Sequence, residues 1–419
     1  MKALFFLRHY NDIDHMTPVI FKWADSGHSS DVVLLGKKQF SRDYRIEFLR
    51  GLNGVRVVSI RELLSTVEFV LWRLQMLMLV RSTHNSIFGP LVRRFNRLYD
   101  FKKRELIWRR IAQSLLGYSF KDEVGGVVAF DWMEKNSFIS IEWVETVVSM
   151  ARDMGLRTVS LPHGDSPHAS QLIRRGERVL KPDTSFAAAG VFDKVVVPNE
   201  LCSLRFRSLF DDHKIAVLGS PRYCDEWLTK LATIMPPSPL TQSDSRLKVL
   251  IFLRKANFTT FWEEVGEVVQ LIAAFPEVEL IIKPHTRGGW KQSLTNDAKL
   301  RQLPNVTVAG DSVHSTHLMD WADVIIDLAT SVVFEAVKAK KPVLAADYLH
   351  ASRSAVAVFM PETELRCRDD VYEKIAGFLS SGCDAFYIEK HRKRFLKEML
   401  DVGGVDVLSR YVTLLEERV

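Results

Sequence analysis

The chain has 419 residues, enough for two or three domains, and its 47% hydrophobic content is ordinary for a globular protein with a sizeable core. Lys and Arg exceed Asp and Glu by six, which favours an anionic partner or surface, although no motif indicates nucleic acid. The four cysteines are far apart and form no CxxC pair, which disfavours a zinc site and a disulfide framework. A reducing cytoplasm is therefore the simplest setting.

The N-terminal part combines short apolar runs with a long helical stretch. A first strand is predicted over 3–7, opening into a polar loop, with further strands over 32–35 and 55–59. A basic helical insertion follows at 61–116, and its most apolar part is too short for a comfortable membrane span. Between 93 and 110, eight Lys or Arg residues are interleaved with aromatic and aliphatic ones. This pattern suits an anionic membrane surface, and it equally suits core-packing helices with solvated outer faces.

From about residue 120, strands and helices alternate in two series, which indicates two parallel sheets covered by helices. The N-terminal domain is predicted over 1–232, because residues 233–247 have the Pro, Ser and Thr content of a linker. The C-terminal domain is predicted over 248–402. A helix within 403–419 closes the chain, with packing back on the N-terminal domain as one option. The predicted strands are 124–130, 158–161, 194–198, 215–218, 248–253, 279–282, 305–308, 324–326 and 343–346. The predicted helices are 138–154, 200–210, 261–274, 292–302, 332–340, 370–379, 384–400 and 405–417.

The most informative stretch is a strand–helix–strand unit in the second series. A buried strand leads into a polar segment, 327–331, which we call the crest, and then into the predicted helix 332–340. Free N–H groups and the helix dipole at such a helix start favour a phosphate. Thr330 and Ser331 can cap the helix, and Glu335 can accept hydrogen bonds from ribose or sugar hydroxyls. An ordinary capped helix with a solvated Glu335 fits the spacing equally well.

Reactive side chains also follow the predicted strand that ends at residue 161. His163 is a candidate general base near neutral pH, and Gly164 permits a tight turn beside it. Asp165 can orient the imidazole or act as the base itself. A loop histidine is often structural, so this motif alone is weak.

A cationic group follows the predicted strand 279–282. Lys283, His285 and Arg287 lie within five residues, an arrangement suited to a diphosphate or a leaving phosphate. Arg254, just after another predicted strand, can add charge at a cleft between the two domains. Ligands of doubly wound domains normally bind at the carboxyl ends of the strands.

The order of these loops resembles the GT-B superfamily and, within it, the CDP-glycerol glycerophosphotransferase-like group of bacterial surface-polymer enzymes. The matching motifs are His163-Gly164, Gly219-Ser220-Pro221-Arg222, Lys283-Pro284-His285, 323–327, Thr330-Ser331, Phe334-Glu335 and Lys341-Pro342. By this resemblance His163 is the catalytic base. The same resemblance assigns the donor's phosphates to Lys283, His285, Thr330 and Ser331, and it adds Arg222 to the donor-binding candidates.

Some motifs differ from those of the CDP-glycerol group. Asp165 replaces its usual Thr, and Thr286 replaces its usual Pro. These departures weigh against a glycerophosphate donor more than against a nucleotide-activated donor in general. A Ser/Thr crest followed by Phe-Glu-Ala, as at 334–336, is also found in Kdo transferases and other capsule or lipopolysaccharide glycosyltransferases.

The resemblance implies an α/β protein of the GT-B class, with two doubly wound Rossmann-like domains facing each other across a cleft. The implied activity is a cytoplasmic, metal-independent glycosyltransferase of bacterial surface-glycan assembly, peripheral on the inner face of the plasma membrane. Its partners would be a nucleotide-sugar donor, a glycan or lipid-linked acceptor and an anionic membrane surface, with no nucleic acid and no cofactor. The alternatives are a CDP-glycerol-type polyol-phosphate transferase, a sugar-nucleotide 2-epimerase of the same fold and a non-catalytic scaffold.

Overall fold

The computed structural model divides into two compact units. The first comprises Met1–Asp165, Lys181–Met235 and Met399–Val419, and the second comprises Ser166–Leu180 and Pro236–Glu398. The residues that the structure describes are 1–35, 41–83, 90, 94, 101–121, 123, 125–133, 141–164, 172–173, 187–241, 244–254, 260–285, 302–311, 313–404 and 406–417.

The first unit is built on a seven-stranded parallel sheet with the order β3-β2-β1-β4-β5-β7-β8. Its strands are β1 (Lys2–Leu7), β2 (Ser29–Leu34), β3 (Val55–Ser59), β4 (Gly126–Asp131), β5 (Arg157–Leu161), β7 (Lys194–Val197) and β8 (Ile215–Val217). Successive residues of β1 enter different core layers, Ala3 and Phe5 on one face and Leu4 and Phe6 on the other. The central strands β1 and β4 are buried along almost their whole length, so they are nearly continuous apolar runs, and this makes them visible in the sequence.

Helices cover both faces of this sheet. They are α1 (Tyr10–Asp25), α2 (Tyr44–Arg50), α3 (Ile60–Leu63), α4 (Thr66–Thr83), α5 (Phe101–Phe120), α6 (Ile141–Asp153), α7 (Glu200–Arg207), α8 (Asp225–Ile234) and α15 (Val407–Glu416). The C-terminal helix α15 packs against α1, and Leu408 and Leu415 enter the same core layer as Ile13 and Ile20.

The predicted polar loop after β1 is wrong, because α1 begins there. Its buried face includes Ile13, Met16 and Ile20, which supply the apolar stripe of an amphipathic helix. Two features hide this helix in the sequence. Its first turns are polar, and Pro18 lies inside it, where a proline normally breaks a helix.

The second unit is built on a five-stranded parallel sheet with the order β11-β10-β9-β12-β13. Its strands are β9 (Leu247–Phe252), β10 (Val278–Lys283), β11 (Val306–Val308), β12 (Val324–Asp327) and β13 (Val343–Ala345). In each sheet the strand order reverses beside the first strand, as in a doubly wound Rossmann-like domain. The two sheets confirm the predicted α/β class with two Rossmann-like domains.

A short antiparallel pair explains why one segment belongs to the second unit. Strand β6 (Leu172–Ile173) pairs with β14 (Ser352–Arg353). The prediction placed Ser166–Leu180 in the N-terminal domain, and contacts such as this pair place it in the second unit instead. The breaks near Met235 and Glu398 differ by a few residues from the predicted limits of 232 and 402.

The helices of the second unit are α9 (Trp262–Ala273), α10 (Ser315–Trp321), α11 (Phe334–Lys338), α12 (Ala355–Phe359), α13 (Arg368–Ser381) and α14 (Glu389–Phe395). The predicted helix 332–340 is shorter than expected: a 3-10 turn, Ser331–Val333, precedes the five-residue α11. The predicted helix 292–302 lies outside the described residues.

The predicted helical insertion contains α3, α4 and α5. Between α4 and α5, the structure describes residues 90 and 94 alone. The part of the basic stretch that precedes α5, residues 93–100, therefore lies outside the described residues except for residue 94. Among the described helices, none has the length and apolarity that crossing a membrane requires.

Candidate active site

The carboxyl edge of the first sheet carries a buried cluster of four charged or titratable side chains. Arg8 follows β1, Asp131 ends β4, His163 follows β5, and Asp12 lies in the first turn of α1. Strands β1 and β4 are the neighbours at which the strand order reverses. Doubly wound sheets bind their ligands at this position, so the fold itself directs these side chains to a candidate site.

His163 makes the central contact of this cluster. Its Nδ1 atom lies 2.6 Å from Asp131 Oδ2 and 3.5 Å from Asp12 Oδ1. The His163 side chain is 10% exposed, and both carboxylates are fully buried. An imidazole whose Nδ1 is held by a buried carboxylate has a fixed orientation, and its Nε2 is directed away from that carboxylate.

Arg8 and the start of α1 hold the carboxylates in place. The Arg8 guanidinium forms an ion pair with Asp131. Its Nε atom lies 3.6 Å from Asp12 Oδ2. The same Asp12 oxygen accepts hydrogen bonds from the backbone N–H groups of Arg8, at 2.6 Å, and His9, at 3.1 Å. The bond from His9 is that of a helix N-terminal capping box, so the start of α1 positions Asp12.

The charges of the cluster displace its pKa values. Burial by itself lowers the pKa of His163, but hydrogen bonds and charges from Asp12 and Asp131 outweigh it and raise the pKa to about 9. Burial raises the pKa of Asp131 to about 6, against the opposing charge of Arg8. For Asp12, burial is outweighed by the His163 hydrogen bond and the Arg8 charge, which lower its pKa. At neutral pH His163 is therefore mostly the imidazolium.

Asn11 lies at the other ring nitrogen of His163. The distance between Asn11 Nδ2 and His163 Nε2 is 3.3 Å, and Asn11 is half-buried. A neutral Nε2 accepts a hydrogen bond from the amide N–H₂, whereas a protonated Nε2 requires the amide oxygen to face it. Asn11 can serve both protonation states by turning its amide group.

The same cluster is also a candidate site for a metal ion. Within the described part of the chain, Asp12, Asp131 and His163 form the single group whose ligand atoms lie close enough together, within 4.8 Å, to hold one. Arg8 contacts both carboxylates. Its fixed positive charge lies beside both carboxylates and opposes the binding of a cation between them.

Arg222, predicted to bind the donor, lies in the first unit near this cluster. Its Nη1 pairs with Asp14 Oδ2 at 3.0 Å, and Asp14 also pairs with Arg45. Burial, together with the Arg222 charge, lowers the pKa of the neighbouring His15 to about 3, so His15 is neutral. Arg222 thus belongs to the first unit, whereas the other donor-binding candidates belong to the second unit.

The Gly219-Ser220-Pro221-Arg222 motif has a structural role in the first unit. Gly219 has φ 91°, and a Cβ there would lie 2.8 Å from the carbonyl oxygen of Leu400. The Ser220 N–H donates to that same oxygen at 2.7 Å, and Tyr411 Oη donates to the Gly219 carbonyl at 2.9 Å. The glycine therefore allows the C-terminal segment to approach closely.

The second sheet repeats the arrangement of an arginine and an aspartate at its own point of strand reversal. Arg254 follows β9 and Asp327 ends β12, and both side chains are buried. Burial raises the pKa of Asp327 to about 7 despite two hydrogen bonds from Thr330. Burial lowers the pKa of Arg254 to about 10, and its Nη1 donates to Ser352 Oγ at 3.0 Å.

The crest uses part of its hydrogen-bonding capacity internally. The Thr330 hydroxyl and backbone N–H both donate to Asp327 Oδ1 at 2.8 Å, so the single hydroxyl proton of Thr330 is engaged. Ala329 has φ 58°, a left-handed conformation that is costly for alanine. Ser331 and Glu335 are half-buried beside this turn. Because a 3-10 turn precedes the five-residue α11, the backbone N–H groups nearest to the crest belong to that turn.

Lys283 and His285 end the next strand, β10. Lys283 Nζ donates to the carbonyl oxygens of Gly310, at 2.7 Å, and Val313, at 3.0 Å, and burial lowers its pKa. Two of its three N–H donors therefore hold a loop of the protein. His285 is half-buried. Arg287 and Asp165 lie outside the described residues.

The structure brings some predicted residues together and adds others that the sequence did not assign. Arg254, Lys283 and the crest share the carboxyl edge of the second sheet, as predicted. In the first unit, Arg8, Asp12 and Asp131 are functional candidates that the sequence analysis missed. The one signal available was their position at strand ends, since Asp131 ends β4 and Arg8 follows the adjacent parallel strand β1.

The fold has solved relatives at low sequence identity. No known protein-family model matches the chain, and no curated protein matches its sequence. A UDP-GlcNAc 2-epimerase from Neisseria meningitidis bound to UDP-GlcNAc is similar with a TM-score of 0.54 and 12% identity, over 99% of this chain and 98% of that one. The kitacinnamycin glycosyltransferase has a TM-score of 0.52 and 13% identity, over 99% and 98% of the two chains. CalG4, the calicheamicin glycosyltransferase, has a TM-score of 0.51 and 14% identity, over 99% of both chains.

These similarities extend over nearly the whole length of each chain, although the sequences have diverged widely. Epimerases and glycosyltransferases occur together among them, so the similarity identifies the fold and leaves the reaction to be argued from the residues. The chain has the GT-B fold.

Proposed function

We propose that the protein is a glycosyltransferase that moves a sugar from a nucleotide-activated donor to a growing bacterial surface glycan. The observation that carries this proposal is the contact of 2.6 Å between His163 Nδ1 and Asp131 Oδ2 at the point of strand reversal. Sugar transfer to a hydroxyl requires one group to accept the hydroxyl proton, and a carboxylate-held imidazole is suited to this role.

The reaction would proceed at Nε2 of His163. The acceptor hydroxyl gives its proton to Nε2, its oxygen bonds to the anomeric carbon, and the bond from that carbon to the donor phosphate breaks. Asp131 stabilises the imidazolium that forms. Because the two carboxylates raise the pKa of His163, the imidazole is mostly protonated at pH 7. Activity should therefore increase in alkaline solution.

The donor would bind at the carboxyl edge of the second sheet. Arg254 remains cationic at neutral pH, and the third N–H of Lys283 is available for a phosphate oxygen. We assign the remaining contacts to His285, Ser331 and Glu335, with Arg287 as a further candidate. Cationic side chains can neutralise the leaving phosphate, so the proposal requires no metal.

A 2-epimerase is the second candidate, and one observation favours it. Epimerisation removes a proton from one face of a carbon and returns a proton to the other face. Asp12 and Asp131 both contact His163, and their pKa values are displaced in opposite directions. Groups with opposed pKa values suit paired acid and base roles. The similar epimerase from Neisseria meningitidis is described as binding UDP-GlcNAc.

Product analysis separates the two reactions. The purified protein is first screened by thermal shift against nucleotide sugars carrying CMP, CDP, UDP or GDP, because ligands that bind the native state raise the melting temperature. The best donor is then incubated alone and with candidate glycan acceptors. A transferase forms product with acceptor present, whereas an epimerase converts the donor alone and, in D₂O, incorporates deuterium at the epimerised carbon.

The variant His163→Ala tests the role of the imidazole. We expect turnover to fall by roughly 10²–10⁴-fold with little change in donor affinity, the usual range for loss of a general base. His213→Ala, which changes an exposed histidine of the same unit, is the matched control and should retain activity. Near-normal turnover of His163→Ala would refute the assignment of His163 as the base. Conversion of the donor without acceptor would show that the protein is an epimerase and not a transferase.

A further inference from the structure

Asp327 is a buried carboxyl group whose two oxygens differ in their contacts. It ends β12, at the point where the strand order of the second sheet reverses. Its Oδ1 accepts both hydrogen bonds from Thr330, whereas its buried Oδ2 has no hydrogen-bond partner among the described residues. An unpaired oxygen of this kind is costly while the group is ionised, and a proton on Oδ2 reduces the cost. The geometry therefore favours the neutral acid.

Two charged side chains act on Asp327 from the strands that flank β12. Arg254 follows β9 and Asp347 follows β13, so a cation and an anion are both close. Asp347 has donors at both of its oxygens, because each accepts from the Ser354 N–H at 3.1 Å and Oδ1 lies 3.4 Å from His350 Nε2. Asp347 is therefore the group that carries the negative charge near Arg254. Burial raises the pKa of Asp327 to about 7, and the Asp347 charge adds to this rise.

The charge of Asp327 decides how strongly this sheet edge attracts an anion. While Asp327 is neutral, Arg254 and Asp347 balance each other, and when it ionises the three buried groups carry a net negative charge. The following helix, α11, adds the half-buried Glu335, and the adjacent strand β10 adds the buried Lys283. Charges in a buried environment interact far more strongly than in water. A phosphate should therefore bind less tightly here while Asp327 is ionised.

We propose that Asp327 is a positioning residue that carries a proton while the nucleotide-sugar donor is bound, which leaves the charge of Arg254 to the donor's phosphates. This inference rests on the proposed function, because it concerns the donor site of the second unit. An ionised Asp327 competes with the phosphates for Arg254, so the bound donor draws a proton from solvent onto the Asp327 carboxylate. Donor affinity should then be constant at low pH and fall as pH rises above 7.

Calorimetric titration with UDP-GlcNAc measures this coupling. The diphosphate of a nucleotide sugar keeps its charge between pH 6.5 and pH 8.5, unlike a terminal phosphate, whose second pKa is about 6. If UDP-GlcNAc does not bind, the nucleotide sugar that raises the melting temperature most takes its place. We expect wild-type affinity to be roughly 10-fold lower at pH 8.5 than at pH 6.5. At pH 7.5 the binding enthalpy should differ between MOPS and Tris buffers, as uptake of roughly half a proton requires.

The variant Asp327→Asn imitates the neutral acid. Its amide oxygen can accept both hydrogen bonds from Thr330, and its N–H₂ group takes the place of the protonated Oδ2. We expect this variant to bind at both pH values with an affinity within about 2-fold of that of the wild type at pH 6.5. Asp320→Asn, which changes an exposed carboxylate on α10 of the same unit, is the matched control and should keep the wild-type pH dependence. A purely structural role of Asp327 would lower the affinity of Asp327→Asn equally at both pH values.

The possible outcomes separate this inference from the proposed function. Wild-type binding without proton uptake, or the same pH dependence in Asp327→Asn, would overturn the role of Asp327 and leave the donor site standing. Failure of every nucleotide sugar to bind would overturn the donor site and this inference with it. If circular dichroism shows that Asp327→Asn is unfolded, proton uptake by the wild type still decides. Rates measured at saturating donor keep the rise with pH that His163 predicts, because the coupling acts on donor affinity.

Discussion

His163 shares its Nδ1 proton with carboxylates from two other parts of the chain. Asp131 precedes His163 by 32 residues, and Arg8, which contacts Asp131, precedes Asp131 by a further 123 residues. Each of these groups alone would be costly to bury as an ion. Together they balance, and the balance fixes the orientation and the protonation state of the imidazole.

The pH dependence of turnover follows from that protonation state. If His163 is the base, kcat/KM should rise with pH and level off above about 9, where the imidazole is neutral. Asp131→Asn removes a charge that raises this pKa, so the apparent pKa should move toward the ordinary 6.5 and the maximal rate should fall. Initial rates across the pH range for both proteins measure this. A rate that falls as pH rises would mean that the imidazolium donates its proton instead.

The sequence allowed part of this cluster to be predicted. His163 stood out because His-Gly after a buried strand is locally recognisable. The sequence shows that Asp131 lies near the end of a predicted strand. It does not show that Asp131 contacts Arg8 and His163, because those contacts depend on which strands are neighbours. Asp12 was hidden for a second reason: the segment containing it was interpreted as a loop. Side-chain pairing across a sheet edge requires the strand order, and a single sequence does not contain it directly.

Helix α15 is the element whose contribution is easiest to isolate. Leu415 is fully buried in the core layer that also contains Ile13 and Ile20 of α1. Leu415→Ala should destabilise the first unit by about 2–5 kcal/mol, because a buried leucine replaced by alanine leaves a cavity. Urea unfolding followed by circular dichroism measures this.

An exposed leucine provides the control for Leu415. Leu204→Ala, on α7, should change the free energy of unfolding by no more than about 0.5 kcal/mol. An equally small effect of Leu415→Ala would show that α15 does not stabilise the first unit.

Among the elements, parallel strands were predicted best and helices near the sites least well. Strands buried on both faces are apolar throughout, and this pattern needs no knowledge of the partner strand. The helix after the crest was predicted too long. The structure has a 3-10 turn at Ser331–Val333, and Lys340 has φ 62°, so the regular helix ends at Lys338. Such turn conformations depend on neighbours such as Asp327, which the crest residues contact.

The stability of the whole molecule should depend on pH through the same histidine. The pKa of His163 in the folded protein, about 9, lies above the ordinary 6.5, so the folded state binds this proton more tightly. The resulting stabilisation is complete below pH 6.5 and is lost as pH rises through 9. The melting temperature of the wild type should therefore fall more between these two values than that of His163→Asn.

The comparison with His163→Asn cancels the titrating groups that do not contact His163, so the remaining difference belongs to the cluster of His163, Asp12 and Asp131. Asp327, with a pKa near 7, titrates partly in the same range, but it does so in both proteins. Differential scanning calorimetry at pH 6.5 and pH 9 gives both melting temperatures. Equal losses in the two proteins would indicate that the folded state does not hold the His163 proton tightly.

The path of the chain has a consequence for biosynthesis. Residues Met399–Val419 belong to the first unit, yet the ribosome makes them after the whole of Pro236–Glu398. At ordinary rates of translation this delay is on the order of 10 s. Throughout it the nascent first unit lacks α15, and the apolar side of α1 that this helix covers stays open to solvent. The first unit to be synthesised is thus the last to be completed. Until then, the apolar side of α1 is a surface to which chaperones can bind.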